Sequence, residues 1–282
     1  MLIRFWGVRG TIPTPGADTV RVGGNTSCVE VRTEDKPQII ILDAGSGIRN
    51  LGKSLVKEFP DRIHGSILIS HTHWDHIQGF PFFTPVFGRS NRFVLIGQKR
   101  VGRRLEEILA GQFIESYLPY SYKTLPADLI VKEVSTNERF IIGDSTVVTA
   151  ASINHPGGNL GYRIEHDGAV FAYCSDVGHP DDSFDENVLK LAYGADLLLH
   201  DSHFGSMEER HQFSHWGHSA WLEAAQVAAE ANVKTLALSH FSPDLDDDAV
   251  DEVLEKARRI FPRTIIAREG MTLTLPMGDE LP

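Results

Sequence analysis

Six consecutive residues carry the densest group of metal-binding side chains in the sequence, His71-Thr72-His73-Trp74-Asp75-His76. They directly follow a short apolar run, residues 66–70, which is typical of a buried strand. Residues two apart in an extended chain point the same way, so His71 and His73 can bind one ion together. If the chain then turns into a helix, Asp75 and His76 leave that line and can reach a second ion. Three imidazoles and a carboxylate predict a site for zinc or a similar borderline cation.

This spacing resembles the signature of the metallo-β-lactamase superfamily of binuclear hydrolases. The resemblance implies an α/β fold of the αββα sandwich type, in which helices flank two mixed β-sheets and the metals lie at one rim between the sheets. It also implies further ligands, each a single residue that closes an apolar strand-like run. By this resemblance the ligands form two sets that share a bridging carboxylate: His71, His73 and His155 for one metal, Asp75, His76 and His240 for the other, and Asp176 between them.

The C-terminal half is similar to the ribonuclease Z branch of that superfamily. That branch has a catalytic histidine before a late helix, and His218 stands in the matching position. A carboxylate that follows a strand pairs with this histidine, and Asp201 takes that place, where ribonuclease Z has Glu. The superfamily also uses an aspartate after an earlier strand to orient the metal histidines, a role that Asp43 matches. The resemblance therefore implies an Asp201/His218 pair for proton transfer and Asp43 as a support for the ligands.

The sequence also departs from ribonuclease Z. Those enzymes carry a long arm between the lone histidine and the bridging aspartate, which grips transfer RNA. Only a tight hairpin fits between His155 and Asp176, and the net charge of −11 argues against a long nucleic acid as partner. The zinc-binding cysteine cluster of some armless phosphodiesterases of this branch is missing too. These departures favour a small substrate.

Two loops are candidates for contact with that substrate. A Gly/Pro-rich stretch between the first two predicted strands borders the metal rim in the superfamily, and its polar groups suit a phosphate or a base edge: Arg9, Asn25, Thr26 and Ser27. With the short hairpin and the Asp201/His218 pair, this loop resembles bacterial and phage enzymes that open cyclic mononucleotides.

The second loop, residues 111–122, is aromatic. In related enzymes this region helps to close the active site, sometimes across a dimer. We therefore expect Tyr117, Tyr120 and Tyr122 to form a lid, offered to the neighbouring subunit of a homodimer. The remaining histidines before His218 are expected on the surface: His203, His211 and His215.

These features predict a metal-dependent phosphodiesterase for small phosphodiesters such as cyclic mononucleotides, with two divalent ions, Zn²⁺ or alternatively Mn²⁺. A metal-bound hydroxide would attack phosphorus, and His218, oriented by Asp201, would protonate the leaving alkoxide as general acid. Asp75 can also accept the proton of the attacking water. Four alternatives stay open: a ribonuclease Z-type endonuclease, a lactonase or β-lactamase-type hydrolase, a di-iron redox protein and an inactive metal-binding scaffold. A redox member usually has Glu where His73 stands, which favours hydrolysis.

The composition fits one globular domain over residues 1–282, with 41% hydrophobic and 23% charged residues. No apolar run is long enough to span a bilayer, and the polar residues near the N-terminus exclude a signal peptide. Two cysteines cannot form a disulfide framework, so we expect both to be reduced and buried and the protein to be cytoplasmic.

Strands and helices alternate along the predicted chain, which indicates an α/β fold with some antiparallel pairing. The strands are predicted at residues 1–6, 28–33, 38–43, 66–70, 129–134, 146–153, 160–165, 169–175, 196–200, 235–239 and 271–275. The helices are predicted at residues 46–59, 101–110, 219–231 and 246–260. Ser46 is the expected N-cap of the first helix, and Asp167-Gly168 predicts a hairpin turn, since both residues tolerate positive φ.

Overall fold

The computed structural model describes residues 1–33 and 38–278. Its strands are β1 (Leu2–Gly7), β2 (Cys28–Thr33), β3 (Gln38–Leu42), β4 (His64–Leu68), β5 (Arg92–Gln98), β6 (Asp128–Val134), β7 (Glu138–Ile142), β8 (Thr146–Ile153), β9 (Asn159–His166), β10 (Ala169–Cys174), β11 (Leu197–Asp201), β12 (Leu236–Ser239), β13 (Thr264–Ile266) and β14 (Thr272–Thr274). Its α-helices are α1 (Ile48–Glu58), α2 (Trp74–Ile77), α3 (Leu105–Ala110), α4 (Glu186–Ala192), α5 (Met207–Gln212), α6 (Trp221–Glu230) and α7 (Asp247–Ile260). Single 3₁₀ turns lie at Ala17–Thr19, Phe80–Phe82, Thr84–Phe87, Tyr122–Thr124 and Ser214–Trp216.

The strands form two mixed sheets of seven strands each within these described residues. The first sheet has the order β14-β1-β2-β3-β4-β5-β6, and the second has the order β13-β12-β11-β10-β9-β8-β7. Strands β3 to β6 are parallel in the first sheet, and β10 to β13 are parallel in the second. The remaining neighbours are antiparallel. This architecture confirms the predicted sandwich of two mixed sheets flanked by helices.

Strand β3 shows how the alternation of side chains builds the layers. Ile40 and Leu42 point into the core between the two sheets, and Ile39 and Ile41 point outward into a second core beneath α1. All four are buried because β3 has neighbours on both faces, which is why its sequence is uniformly apolar rather than alternating. Helix α1 covers the outer face with an apolar stripe: Ile48, Leu51 and Leu55.

The parallel strands bring their carboxyl ends to one edge of each sheet. In the first sheet Leu42 pairs with Leu68, so β3 and β4 end side by side. In the second sheet Cys174 pairs with His200, and His200 pairs with Leu238, so β10, β11 and β12 end together. The residues that follow these strands therefore meet at one rim of the sandwich.

Most predicted elements are confirmed to within a few residues, including the hairpin between β9 and β10. Its turn residues Asp167 and Gly168 have φ of 48° and 78°, as a two-residue turn of this kind requires. One boundary prediction is wrong. Helix α1 begins at Ile48 with Gly47 in the N-cap position, because the Ser46 hydroxyl instead accepts a hydrogen bond from the Thr26 amide.

The sequence analysis missed five elements, β5, β7, β13, α4 and α5. Helices α4 and α5 have seven and six residues, too few for a helical period to stand out. The third predicted helix is shorter than expected, because residues 101–103 form bends and α3 begins at Leu105. These elements lie between the strands that carry the site and leave its layout unchanged.

Cys28 and Cys174 are free and buried, as expected. Burial raises the pKa of both thiols, so they stay protonated at neutral pH. In the part of the chain that the structure describes, no helix has the length and the apolar character needed to cross a membrane.

Candidate metal centre

The seven predicted ligands meet at the rim where the parallel strands end. Their ligand atoms form two groups, and within each group all of these atoms lie within 4.8 Å of one another. The groups are His71, His73, His155 and Asp176, and Asp75, His76, Asp176 and His240. Asp176 belongs to both, as the bridging role predicts. The division matches the two sets expected from the sequence.

The first group is built from three imidazoles and one carboxylate. His155 Nε2 and His73 Nδ1 face each other at 3.1 Å. His71 Nε2 lies 3.6 Å from Asp176 Oδ2, and this nitrogen is buried without a hydrogen-bond partner in the described residues. Ring nitrogens that converge without an acceptor between them fit a shared cation, which accepts their lone pairs.

The second group is built from two imidazoles and two carboxylates. His76 Nε2 and His240 Nε2 lie 3.2 Å apart, and each is 3.1 Å from Asp176 Oδ1. His240 Nε2 is also 3.1 Å from Asp75 Oδ2. The same carboxylate oxygen of Asp75 accepts a 2.8 Å hydrogen bond from the Thr11 amide. Two neutral nitrogens and two anionic oxygens are a donor set that fits a divalent cation.

Asp43 supports this arrangement from behind, as predicted. His76 Nδ1 donates to Asp43 Oδ2 over 2.8 Å, which leaves Nε2 free to face the group of ligands. The Asp43 carboxylate also accepts from the Ser70 amide at 2.7 Å, the Ser70 hydroxyl at 2.8 Å and the Tyr173 hydroxyl at 2.7 Å. These bonds hold a carboxylate that is fully buried in the core.

Two other ligand histidines are oriented in the same way. His155 Nδ1 donates to the Gly217 carbonyl over 2.8 Å, and His71 Nδ1 donates to the Ser70 hydroxyl over 3.1 Å. In each ring the bond fixes the proton on Nδ1 and leaves Nε2 as the lone-pair donor. The ligands are therefore preset in the tautomers that bind a metal.

Burial also sets the charge of the ligands. It lowers the pKa of His71 well below its usual value and that of His155 to about 4, so both rings are neutral at pH 7. Burial opposes ionisation of Asp176, but the nearby His240, His76 and His71 outweigh it and lower the pKa of its carboxyl group. Neutral imidazole and ionised carboxylate are the forms that ligate a metal.

His218 lies between the two groups of ligands. Its ring centroid is 5.1 Å from that of His155 and 5.1 Å from that of His240. Its Nδ1 contacts Asp201 Oδ2 at 2.8 Å, which confirms the predicted Asp201/His218 pair as a contact in the structure. Because Nδ1 is engaged by the carboxylate, Nε2 is the ring nitrogen left for proton exchange.

Asp201 is itself held on several sides. Oδ2 accepts a 3.0 Å hydrogen bond from the Val177 amide, and Oδ1 accepts a 2.8 Å bond from the His203 amide. Burial would raise the pKa of this carboxyl group, but the adjacent His218 outweighs burial and lowers it. Asp201 is therefore an ionised, fixed partner that can orient and stabilise a charged His218.

The prediction that His203 lies on the surface is wrong. Its exposure is 1%, and its ring stacks on His218 with centroids 4.4 Å apart and planes at 21°. Burial, together with His218 and His240, lowers the pKa of His203 to about 3, so it stays neutral beside the catalytic candidate. Its place two residues after Asp201, at a strand end on the site rim, was the signal that could have found it. His211 and His215 are exposed, as expected.

A second histidine pair was also missed. His179 and His200 are buried with their Nε2 atoms 3.2 Å apart. His179 Nδ1 accepts from the Asp185 amide at 3.1 Å, and His200 Nδ1 donates to the Asp201 carbonyl at 2.8 Å. These directions place the shared proton on His179 Nε2. The pair joins the loop after the bridging Asp176 to the strand that carries Asp201.

The structure corrects the prediction that Arg9 binds substrate. Its side chain is fully buried, and its nitrogens donate to the carbonyls of Gly23 and Leu245 and to the carboxylate of Asp247. A guanidinium group that is used in this way ties the N-terminal loop to the start of α7. It is not available to a phosphate.

Asn25, Thr26 and Ser27 are likewise turned inward. Asn25 Nδ2 donates to Glu269, and the Thr26 hydroxyl oxygen accepts from the Ser46 amide at 2.8 Å. Thr26 and Ser27 are buried. Only the backbone of this loop reaches the metal rim, through the Thr11 amide described above, so the expected position of the loop is confirmed and the side-chain contacts are not.

Glycine is required where this loop passes the ligands. A Cβ atom on Gly10 would lie 2.5 Å from the His240 ring and 3.0 Å from the ring of His203. Both rings are fixed by the site, so neither can move aside. Gly10 therefore allows the loop to cover the second group of ligands closely.

Comparison with known proteins agrees with this geometry. The profile of the family described as a beta-lactamase superfamily domain matches residues 38–241. The chain is 27% identical to a ribonuclease Z of Synechococcus sp. (strain CC9311) over 330 aligned positions, covering 97% of this chain and 98% of the relative.

Two solved structures share the fold. The metallo-beta-lactamase fold protein YhfI from Bacillus subtilis has a TM-score of 0.72 at 21% identity, with 96% of this chain and 98% of that chain covered. The short form of human tRNase Z has a TM-score of 0.69 at 20% identity, with 98% and 100% covered. The ligand pattern, the two mixed sheets and the family match agree, and the chain belongs to the metallo-β-lactamase superfamily of metal-dependent hydrolases.

Proposed function

We propose that this hydrolase is a phosphodiesterase that acts on small phosphodiesters such as cyclic mononucleotides. The observation that carries the proposal is the Asp201/His218 pair, whose imidazole lies between the two groups of ligands. Cleavage of a phosphodiester releases an alkoxide, which needs a proton. Hydrolysis of a lactone or a β-lactam calls for no such pair in this place, so the pair favours phosphodiester chemistry.

The seven ligands would hold two divalent cations, Zn²⁺ or alternatively Mn²⁺. When bound, such cations polarise the phosphoryl oxygens and lower the pKa of water. His218 would donate a proton from Nε2 to the leaving oxygen, and the fixed Asp201 carboxylate would stabilise the imidazolium form before that transfer. Asp75 Oδ1 is the carboxylate oxygen with no hydrogen bond assigned to it above, and it would accept the proton of the attacking water.

The size of the substrate is inferred from the loop that ribonuclease Z enlarges. Between His155 and Asp176 the chain forms β9, a two-residue turn and β10, and these account for nearly all of the residues. The aligned ribonuclease Z needs 330 positions against the 282 residues of this chain, so that relative carries inserted segments. A site without a gripping arm, on a chain with net charge −11, suits a small diester better than a transfer RNA.

Ribonuclease Z activity is the second candidate. The observation in its favour is the similarity to the Synechococcus ribonuclease Z, which extends over almost the whole of both chains. A lactonase-type hydrolase has no comparable observation beyond the shared superfamily.

A substrate panel tests these candidates. Purified protein is assayed with Zn²⁺ and with Mn²⁺ on cyclic mononucleotides, bis-p-nitrophenyl phosphate, a precursor transfer RNA, a lactone and a β-lactam. We expect turnover of a cyclic mononucleotide and of the p-nitrophenyl diester. Turnover of the transfer RNA alone would establish the second candidate, and turnover of the lactone or β-lactam alone would overturn both.

The homodimer and the cytoplasmic location stay predictions. Of the three tyrosines expected to form a lid, Tyr120 and Tyr122 pack against the core outside the first sheet, and the Tyr120 hydroxyl donates to the Pro81 carbonyl at 2.9 Å. Only Tyr117 is largely exposed, at 68%. A lid would therefore depend on Tyr117, and light scattering of the active protein tests whether a dimer forms.

A further inference from the structure

A large recess opens beside the metal motif. Its volume is about 610 Å³, within the range of small-molecule sites. Thr72 and Trp74 line it, and these residues alternate along the chain with the ligands His71, His73 and Asp75. A smaller cavity lined by His71 shares Thr72 with the recess. The recess therefore adjoins the metal centre through the motif itself.

Two exposed aromatic rings stand at the recess. Trp74, at the start of α2, is 71% exposed, and Tyr117, in the segment after α3, is 68% exposed. Large aromatic side chains are seldom left this open unless a ligand or a partner covers them. The flat face of an indole is a surface on which a nucleobase stacks, whatever the base.

The recess is also positively charged. Arg100 and Arg103 line it, and no acidic residue does. Arg100 donates to the Gly158 carbonyl, and neither arginine forms an ion pair with a carboxylate in the described residues. The chain as a whole has 38 acidic and 27 basic residues, so this local excess of positive charge is selective for an anion.

Two amides add hydrogen-bonding groups. Gln112 lines the recess, and its Nε2 is buried without a partner among the described residues. Gln78 also lines it and uses Nε2 to donate to Thr26, which leaves its carbonyl oxygen available. A buried amide nitrogen without an acceptor is costly, and a ligand with an acceptor on its edge would remove that cost.

We infer that this recess binds the base and ribose of a nucleotide whose phosphodiester lies at the metal centre. Trp74 stacks on the base, Gln78 and Gln112 pair with its edge, and Arg100 and Arg103 attract the anionic ligand. The inference rests on the proposed phosphodiesterase function and narrows its substrate class from small phosphodiesters to nucleotides. The aromatic rings, the unpaired arginines and the amides together distinguish a nucleotide from a purely apolar ligand.

The test is equilibrium binding of adenosine 5′-monophosphate and of inorganic phosphate to the metal-loaded protein by calorimetry. Trp74→Ala should weaken binding of the nucleotide by about tenfold or more, as expected for the loss of one stacking ring, and leave phosphate binding unchanged. Tyr117→Ala, which lies outside the metal motif, should weaken the nucleotide in the same direction. Tyr193→Ala removes an equally exposed tyrosine away from the recess and is the matched control.

A second pair of variants tests the charge. Arg103→Ala should weaken the nucleotide several-fold, and Arg49→Ala, which removes an exposed arginine from α1, should not. The metal content of every variant is measured alongside, so that a lost metal is not mistaken for a lost base contact.

Because binding needs no turnover, the outcomes separate this inference from the proposed function. Nucleotide binding that depends on Trp74 and Tyr117 supports the recess even if no cyclic nucleotide is hydrolysed. Hydrolysis of cyclic nucleotides with unchanged nucleotide affinity in both variants overturns the recess and leaves the phosphodiesterase intact. If the variants keep nucleotide affinity but dissociate a dimer in light scattering, a second copy covers these rings and the inference is wrong.

Discussion

The two groups of ligands share Asp176 but differ in composition and in access to solvent. The first group adds three imidazoles to the shared carboxylate, and one of them, His73, is exposed. The second adds Asp75 to two imidazoles, all of its members are buried, and the N-terminal loop covers it through Thr11 and Gly10. The first group is therefore open toward solvent, and the second is enclosed by protein.

This difference assigns different tasks to the two groups. Two carboxylates offset the charge of a divalent cation better than one, and exclusion of water strengthens their attraction. We expect the enclosed group to hold its ion more tightly and the open group to meet the substrate. The following predictions test this comparison, from variants that affect both ions to variants that affect neither directly.

Asp176→Ala should have the largest effect. The residue belongs to both groups, so its loss removes a ligand from each ion and should abolish hydrolysis. Elemental analysis after reconstitution should fall from about two ions per chain to well under one. A variant that keeps one tightly bound ion would show that Asp176 serves only one group.

His155→Ala and His240→Ala should each affect chiefly one ion. His155 belongs to the open group and His240 to the enclosed group, so each variant should retain about one ion per chain. The comparison predicts that the ion left in His155→Ala resists a chelator longer than the ion left in His240→Ala. Equal rates of metal loss, followed by elemental analysis during dialysis, would contradict the assigned difference.

His218→Ala should retain both ions and lower turnover of a cyclic nucleotide by about 10²–10⁴-fold. The loss should be smaller for a p-nitrophenyl diester, whose leaving group departs without a proton. Asp201→Asn should act in the same direction but more weakly, because it misorients the imidazole without deleting it.

The control for this variant is His215→Ala, three residues earlier and exposed, which should leave both substrates unaffected. If His218→Ala loses metal, or lowers turnover of both substrates equally, His218 is a ligand or a structural residue and the general-acid assignment is wrong.

Asp43→Asn should have the smallest effect on this scale. The amide cannot accept all of the hydrogen bonds that Asp43 receives from Ser70, Tyr173 and His76. Loss of such a supporting partner typically lowers metal affinity by about 10–100-fold. Competition with a metal chelator measures the change, and it should fall mainly on the enclosed group, to which His76 belongs. An equal loss in both groups would indicate a general loosening of the core instead.

The fold and the ligands could be predicted because their signals are local. Each ligand follows an apolar strand, and parallel strands end together, so a list of strand ends is close to a list of site residues. His203, His179 and His200 escaped prediction because their importance depends on contacts between elements far apart in sequence. No local pattern says that the His203 ring stacks on His218.

The N-terminal loop failed for a related reason. Arg9 has the right side chain for a phosphate, but the direction of a side chain in an irregular loop is set by what surrounds it. Here Asp247 and two carbonyl groups bind the guanidinium inside the protein. Residue type and proximity to the rim predicted the position of the loop, and only the structure gave the direction of its side chains.

Three residues of the site, Asp43, Asp176 and His240, adopt left-handed backbone with φ of 62°, 53° and 62°. Residues other than glycine in this region cost on the order of 1–3 kcal/mol each when the surroundings impose it, and histidine tolerates it less readily than aspartate. The fold carries this cost to aim three side chains at the rim. A descendant that no longer needed the activity would be free to place glycine there and gain stability. Among related sequences, glycine at these positions would therefore mark the loss of catalysis in a fold that persists.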